Sequence, residues 1–229
     1  MNDEATLDAF RLADSFLPIG TYAVSYGLEQ FVQDDRVADA TDLEALLSTY
    51  LRHQIGGSDL IALRAAHAGT REGDLDAVGA ADRRLTAVTL PAELRESARK
   101  SGGRLLSLQR DLRTDELLDR YADRVDEGTC PGNHAVVLGV VTALGGVAPR
   151  TACLLYCHEF ATGLLGAAQR LFSLGHTDAQ RVLDGLKPVM VDATESSADR
   201  PLDSMSAFAP LVDVLSADHE RADRRLFSS

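Results

Sequence analysis

Apolar residues recur three and four positions apart along most of this 229-residue chain. That spacing places them on one face of an α-helix, whereas no run of alternating polar and apolar residues is long enough for a strand. The pattern therefore predicts an all-α fold. We expect one compact helical-bundle domain over residues 1–229, with about 8–10 helices.

The first clear helix is predicted to begin at Thr41, because Thr41 and Glu44 have the spacing of a capping box. Gly56 and Gly57 are expected to end this helix, since glycine weakens a helix interior. The sequence thus predicts a boundary between two helices at this glycine pair.

A longer helical stripe runs from Pro91 to Leu112 and contains Gly102 and Gly103. Each glycine costs a helix interior about 1 kcal/mol relative to alanine. The pair therefore predicts either a bend in the helix or the close approach of another backbone.

Residues 135–144 are apolar at almost every position. Their valine content is typical of a strand, but an isolated strand among helices has no hydrogen-bonding partner. We therefore predict a central helix that is apolar on all sides. Residues 192–206 are polar and lack periodicity, which predicts a mobile loop, and a last helix is predicted over residues 210–227.

Acidic residues dominate the charge of the chain, which is −12 at pH 7 with a pI near 4.9. A nucleic acid or an anionic membrane is therefore not an expected partner, because both need a basic face.

The longest apolar stretch, residues 135–148, is shorter than the roughly 18 residues that span a bilayer. Residues 1–14 lack the features of an export signal, so we predict a cytoplasmic protein. Only two of the 23 basic residues are lysines, a composition that fits a salt-adapted host.

Motifs for nucleotide, dinucleotide and zinc-protease chemistry are absent from the sequence, and no G-x-S-x-G turn presents a nucleophilic serine. The most suggestive cluster is Cys153, Cys157 and His158. On a helix the two cysteines lie one turn apart and could chelate Zn²⁺. The alternative, that both are small core residues, is favoured because a closed zinc site usually needs four ligands. We predict no catalytic residue, no metal site and no cofactor.

A tight turn is predicted near the amino terminus, where Pro18 and Gly20 interrupt a run of apolar, aromatic and small residues. Apolar side chains in a loop must be shielded from water by other residues. The turn either packs on the protein's own core or forms a surface that another chain covers.

The same stretch resembles the signature of the urease accessory protein F family, a leucine-proline-isoleucine-glycine turn followed by a serine and then by glycine-leucine-glutamate. The matching residues are Leu17, Pro18, Ile19, Gly20, Ser25, Gly27, Leu28 and Glu29. Further matches follow in order within residues 101–106, 134–139, 169–180 and 219–229. The resemblance therefore spans nearly the whole chain.

What the resemblance implies is an all-helical, usually homodimeric protein that is not itself an enzyme. It would bind a second urease accessory protein of the D or H type and recruit the nickel-carrying GTPase of the system, the G type, so that Ni²⁺ reaches apo-urease. In the family the carboxy-terminal segment, here residues 210–229, takes part in complex formation, and Glu29 is a candidate for modulating the GTPase. The candidate partner-binding residues are Leu17, Pro18, Ile19, Gly20, Ser25, Glu29, Arg225, Leu226 and Phe227.

Two other functions are compatible with the sequence. One is a small metal-dependent enzyme built on Cys153, Cys157 and His158, and the other is a helical interaction module unrelated to urease. Stoichiometric metal together with turnover would indicate the enzyme. Failure to co-purify with the GTPase and the D or H protein would indicate the unrelated module.

Overall fold

The computed structural model describes residues 2–14, 17–20 and 25–207, and within these ranges the chain forms helices and no strand. The α-helices are α1 (Asp3–Leu12), α2 (Leu28–Gln33), α3 (Ala40–Thr49), α4 (Leu60–Glu72), α5 (Leu75–Val88), α6 (Ala92–Leu112), α7 (Glu116–Asp126), α8 (His134–Leu144), α9 (Pro149–Leu171), α10 (His176–Gly185) and α11 (Lys187–Ser196). A π-helical segment (Tyr50–Asp59) joins α3 to α4, and a 3₁₀ turn (Leu202–Ser204) follows α11. The predicted all-α domain is confirmed.

Helix α8 lies at the centre of the bundle, in contact with α4, α5, α6 and α9. Every residue from His134 to Ala143 is buried. A Cβ atom added to Gly139 would lie 2.5 Å from the carbonyl oxygen of Leu63, so the backbones of α8 and α4 are in close contact at this glycine. The prediction of a central helix that is apolar on all sides is confirmed.

The glycine pair Gly56 and Gly57 does not end the first long helix, so that prediction is wrong. The chain continues through the π-helical segment into α4 as one rod. Both glycines are buried because other parts of the chain lie against them. A Cβ atom on Gly57 would lie 2.4 Å from the carbonyl oxygen of Ser206, and one on Gly56 would lie 3.2 Å from the Cβ of Ala193.

The start of this rod also differs from the prediction. Asp39, and not Thr41, is the N-cap residue: its Oδ1 accepts hydrogen bonds from the N–H groups of Thr41 at 2.8 Å and Asp42 at 3.0 Å. With α3, the π-helical segment and α4 counted as one rod, the described residues contain ten α-helical rods, within the predicted range.

Gly102 marks the close approach of another backbone and not a bend, because α6 is one continuous helix. A Cβ atom on Gly102 would lie 2.0 Å from the carbonyl oxygen of Gly132, whereas one on Gly103 would meet nothing within 4 Å. The glycine thus lets α6 pack directly against the chain that enters α8.

Residues 192–206 do not form one irregular loop, as the sequence predicted. The first five belong to α11, where Ala193 and Thr194 are buried, and residues 202–204 form the 3₁₀ turn. Arg64 of α4 donates from Nη2 to the carbonyl oxygen of Thr194 at 2.8 Å. Because Ala193 and Thr194 are buried against the rest of the protein, α11 continues as a helix into the stretch that was predicted to be a loop. The predicted helix over residues 210–227 lies outside the described residues.

None of the helices in the described ranges is both long and apolar enough to cross a membrane.

Candidate functional site

A pocket lies between α6, α8, α9 and the π-helical segment. It offers about 50 Å³ to the centres of water molecules, which is room for a few waters. One part of its wall is apolar and the other is polar. The apolar and aromatic lining includes Leu85, Leu94, Phe160 and Leu164, and the polar lining includes Tyr26, Gln54, Asp59, Ser97, Ser101, His134, Tyr156 and Glu159.

The α9 side chains reach the pocket because they share one face of the helix. Tyr156, Glu159, Phe160 and Gly163 are spaced at i, i+3, i+4 and i+7. Gln54 and Asp59 come from the π-helical segment, whose wider turns often occur at functional sites. With Tyr26, the serines of α6 and His134, five separate stretches of sequence supply the polar wall.

His134 is the first residue of α8 and forms a buried pair with Glu159. Its Nε2 lies 3.1 Å from Glu159 Oε1 and 3.0 Å from Oε2, whereas its Nδ1 is buried without a hydrogen-bond partner. Burial by itself lowers the pKa of His134, but the Glu159 carboxylate, helped by Asp59, outweighs it and raises the pKa above its usual value. The pair therefore favours the imidazolium form.

Asp59 forms a second polar centre in the pocket. Tyr156 donates from its hydroxyl to Asp59 Oδ1 at 2.7 Å, and Ser58 Oγ lies 2.9 Å from Oδ2. Burial raises the pKa of the Asp59 carboxyl, although these two hydroxyls counteract it. Burial, together with Asp59, also raises the pKa of Tyr156 well above its usual value, so the phenol stays a donor.

The loop before α8 is held in place by Asp82 of α5, which is fully buried. Asp82 Oδ2 accepts from the N–H of Gly132 at 2.7 Å and from the hydroxyl of Tyr121 at 2.8 Å. Its Oδ1 accepts from the N–H of Asn133 at 3.0 Å and from Asn133 Nδ2 at 2.7 Å. Asp82 therefore fixes the position at which His134 enters the pocket.

Three aromatic rings connect the amino-terminal stretch to α9. The ring of Tyr26 lies 4.9 Å from Phe160 and 6.4 Å from Tyr50, between centroids. The hydroxyl of Tyr50 donates to the carbonyl oxygen of Tyr26, whose φ is 49°. The resemblance-bearing stretch therefore contributes one wall of the pocket.

The predicted amino-terminal turn packs partly on the protein's own core. Ile19 is buried, Leu17 is half-buried and Pro18 is exposed. Gly20 has a φ of 79°, and a Cβ there would lie 1.8 Å from Arg104 Nη1. Arg104 also donates from Nη1 to the carbonyl oxygen of Ile19 at 3.4 Å, so α6 fixes the turn.

Two of the candidate partner-binding residues that follow the turn are buried in this chain. Ser25 has no exposed surface, and Glu29 is 3 % exposed and accepts from Gln33 Nε2 at 3.3 Å. Pro18 is thus the exposed member of the amino-terminal set, with Leu17 and Gly20 partly exposed. Arg225, Leu226 and Phe227 lie outside the described residues.

The cysteine cluster does not assemble into a reactive site. Cys153 and Cys157 have no exposed surface, whereas His158 is exposed. Burial raises the pKa of the Cys153 thiol to about 11 and that of Cys157 to about 12, and a protonated thiol is a poor metal ligand and nucleophile. In the described part of the chain, no three His, Cys, Asp or Glu side chains gather in a metal-binding arrangement. Both cysteines are core residues.

The class of protein follows from this geometry: an all-α protein with a small polar pocket at the start of its central helix. The chain belongs to the UreF family, whose family model matches residues 37–187. It is 34% identical over 223 residues to the urease accessory protein UreF of Trichodesmium erythraeum (strain IMS101), which covers 97% of this chain and 96% of that protein. A second relative, the urease accessory protein UreF of Bacillus sp. (strain TB-90), is 28% identical over 97% of this chain and 98% of its own length. The urease accessory protein UreF 1 of Brucella melitensis biotype 1 is 33% identical over 96% of this chain and 91% of its own.

The family predicted from the signature residues is thereby confirmed. The pocket was not predicted from the sequence. A usable signal is a pair of polar residues at helical spacing, Tyr156 and Glu159, on the same buried face as Phe160.

Proposed function

We propose that this chain is a urease maturation factor that works by binding other proteins and catalyses no reaction itself. The observation that carries the proposal is the similarity, over almost the whole length of both chains, to proteins named urease accessory protein UreF. The proposed partners are a D- or H-type urease accessory protein, the nickel-carrying GTPase, apo-urease and a second copy of this chain. The proposed site of action is the cytoplasm.

The proposed contact surface combines the exposed part of the amino-terminal turn, at Pro18, with residues 225–227 of the carboxy-terminal segment. Its support is chemical. Pro18 is exposed next to the buried Ile19, so a partner that covers the turn would remove apolar surface from water. Arg225 and Phe227 are side-chain types that often dominate the energy of protein interfaces.

A binding experiment tests this proposal. The full chain is co-expressed with the D- or H-type protein and the GTPase, and the affinity of each purified pair is measured by calorimetry. We expect a stable complex, and we expect Phe227→Ala to weaken it by about tenfold or more, because interface aromatic residues are frequent hot spots. Leu90→Ala is the matched control, since Leu90 is a large apolar residue that is 66 % exposed in the link between α5 and α6.

Failure of the chain to bind either protein would contradict the proposal. So would a strain that lacks the chain and still assembles fully nickel-loaded urease. Either result would leave the family membership intact but remove the proposed role.

Timing of nickel release is a further part of this proposal. A binding protein can shift the nucleotide state of a GTPase only if its affinity differs between the GTP and GDP states. We therefore expect different affinities for the two states. Equal affinities in the same calorimetric assay would rule out a role in timing.

A further inference from the structure

Two residues that line the pocket each have a buried polar atom without a hydrogen-bond partner. Gln54 is 8 % exposed and its Oε1 is unpartnered, and His134 is 7 % exposed with an unpartnered Nδ1. Both residues line the same pocket. Leaving a buried polar atom without a partner is costly, so such atoms on residues that line a pocket indicate a ligand that can pair with them.

Negative charge exceeds positive charge among the groups that line the pocket. Asp59 and Glu159 contribute two carboxylates and His134 contributes one group that can become cationic, and among the described residues no lysine or arginine is in the lining. A cation is therefore the ligand whose charge suits this wall.

The remaining wall suits an alkyl chain. Leu94 and Leu164 provide aliphatic surface, and the rings of Tyr26 and Phe160 lie beside it. Aromatic faces attract ammonium groups, and aliphatic walls pack against the methylene stem that carries such a group. The pocket thus combines a site for a cationic head with a site for its stem.

We propose that this pocket binds a primary alkylammonium group. An ammonium has three N–H donors, and the pocket offers three acceptors for them: Gln54 Oε1, His134 Nδ1 and the Asp59 carboxylate. Without a ligand the pair with Glu159 favours the imidazolium, but a bound ammonium repels a second positive charge and favours the neutral imidazole. In that form Nε2–H donates to Glu159 and the Nδ1 lone pair accepts from the ammonium. The ligand is either a free alkylamine or a lysine side chain of another protein.

The test uses the full chain and n-butylammonium as the probe, titrated by calorimetry and by NMR of the side-chain nitrogen atoms. We expect saturable one-to-one binding, with shifts of the His134 ring nitrogens and the Gln54 amide. Butyrate, which has a similar stem and the opposite charge, should not bind. Binding of butyrate as strong as that of butylammonium would overturn the proposal.

Two variants connect the binding to these residues. Asp59→Asn and Gln54→Leu should each weaken the binding of butylammonium at least about tenfold. Glu195→Gln is the matched control and should bind like the native chain, because Glu195 forms a surface ion pair with Arg150. Circular dichroism and thermal unfolding establish that each variant is folded. If Asp59→Asn fails to fold, Gln54→Leu decides the result. Unchanged binding in the folded variants would overturn the proposal.

Competition distinguishes the two sources of the ammonium group. For a lysine side chain, which rests on the proposed function, butylammonium should compete with the accessory partner and Asp59→Asn should weaken the complex. For a free amine, the complex should form equally well with and without butylammonium. Binding of Ni²⁺ alone to the same residues, without any binding of butylammonium, would contradict both. Because the titration of the isolated chain needs no partner, its failure is distinguishable from failure of the proposed function.

Discussion

Two aspartates, Asp82 and Asp59, lie near the segment that opens α8, and their hydrogen bonding differs. Asp82 is fully buried and accepts four hydrogen bonds, from Tyr121, Gly132 and twice from Asn133. Every donor in that network is matched to an acceptor. It therefore fixes one backbone arrangement and leaves nothing for a ligand.

By comparison, the hydrogen-bonding capacity of the Asp59 carboxyl group is only partly used. One of its two neighbours, Ser58 Oγ, also lies 2.8 Å from the carbonyl oxygen of Gln54. A hydroxyl has one proton and can donate to only one of these acceptors at a time. The difference teaches that a complete buried network stabilises the fold, whereas an incomplete one beside a cavity indicates a binding site.

Removal of the complete network should have the largest effect. Asp82→Ala leaves the buried N–H groups of Gly132 and Asn133 and the hydroxyl of Tyr121 without an acceptor. We expect the free energy of unfolding to fall by about 4 kcal/mol. Urea unfolding followed by circular dichroism measures it. Asp123→Ala, at an exposed position of α7, is the control and should change stability by less than about 0.5 kcal/mol. Similar effects of the two variants would contradict the structural role of Asp82.

A second experiment displaces the loop before α8, which Asp82 holds in place, by adding a methyl group to α6. Gly102→Ala would place a Cβ atom 2.0 Å from the carbonyl oxygen of Gly132, so α6 and the loop must separate. We expect a loss of about 3 kcal/mol. Gly103→Ala, one position further along α6, meets nothing within 4 Å and should stabilise the protein by up to about 1 kcal/mol. Thermal unfolding of the pair measures the contrast, and a loss of stability in both would contradict the close packing.

The smallest expected effect concerns the pocket and depends on pH. The folded-state pKa of His134 is raised, so its stabilising contribution is complete below the unfolded pKa and is lost as the pH rises through the folded pKa. His134→Gln should therefore cost about 1 kcal/mol at about pH 5 and less at about pH 9. Urea unfolding at both values tests this, with His53→Gln as the exposed reference. A cost that is the same at both pH values would show that the pair with Glu159 does not favour the imidazolium.

Much of the fold follows from local patterns. The run of apolar residues over 135–144 correctly predicted the central helix, because no other position in a bundle can bury a helix on all sides. The glycine pairs were harder to interpret. Gly102 and Gly57 both serve close packing, but only the contacts with Gly132 and Ser206 reveal this, and those residues are remote in sequence.

The candidate site was less accessible to sequence reasoning. Of the candidate partner-binding residues, Ile19, Ser25 and Glu29 proved to be buried, which the signature alone does not reveal. The pocket unites residues as distant in sequence as Tyr26 and Glu159, and each of them taken alone looks like an ordinary polar residue. Their proximity depends on how α6, α8, α9 and the π-helical segment pack.

The complete burial of α8 has a consequence for the newly synthesised chain. During synthesis α8 leaves the ribosome before α9, so for a time this apolar helix lacks one of the helices that shield it from water. We expect fragments that stop before Pro149 to be insoluble, and the full chain to depend on rapid arrival of its last third.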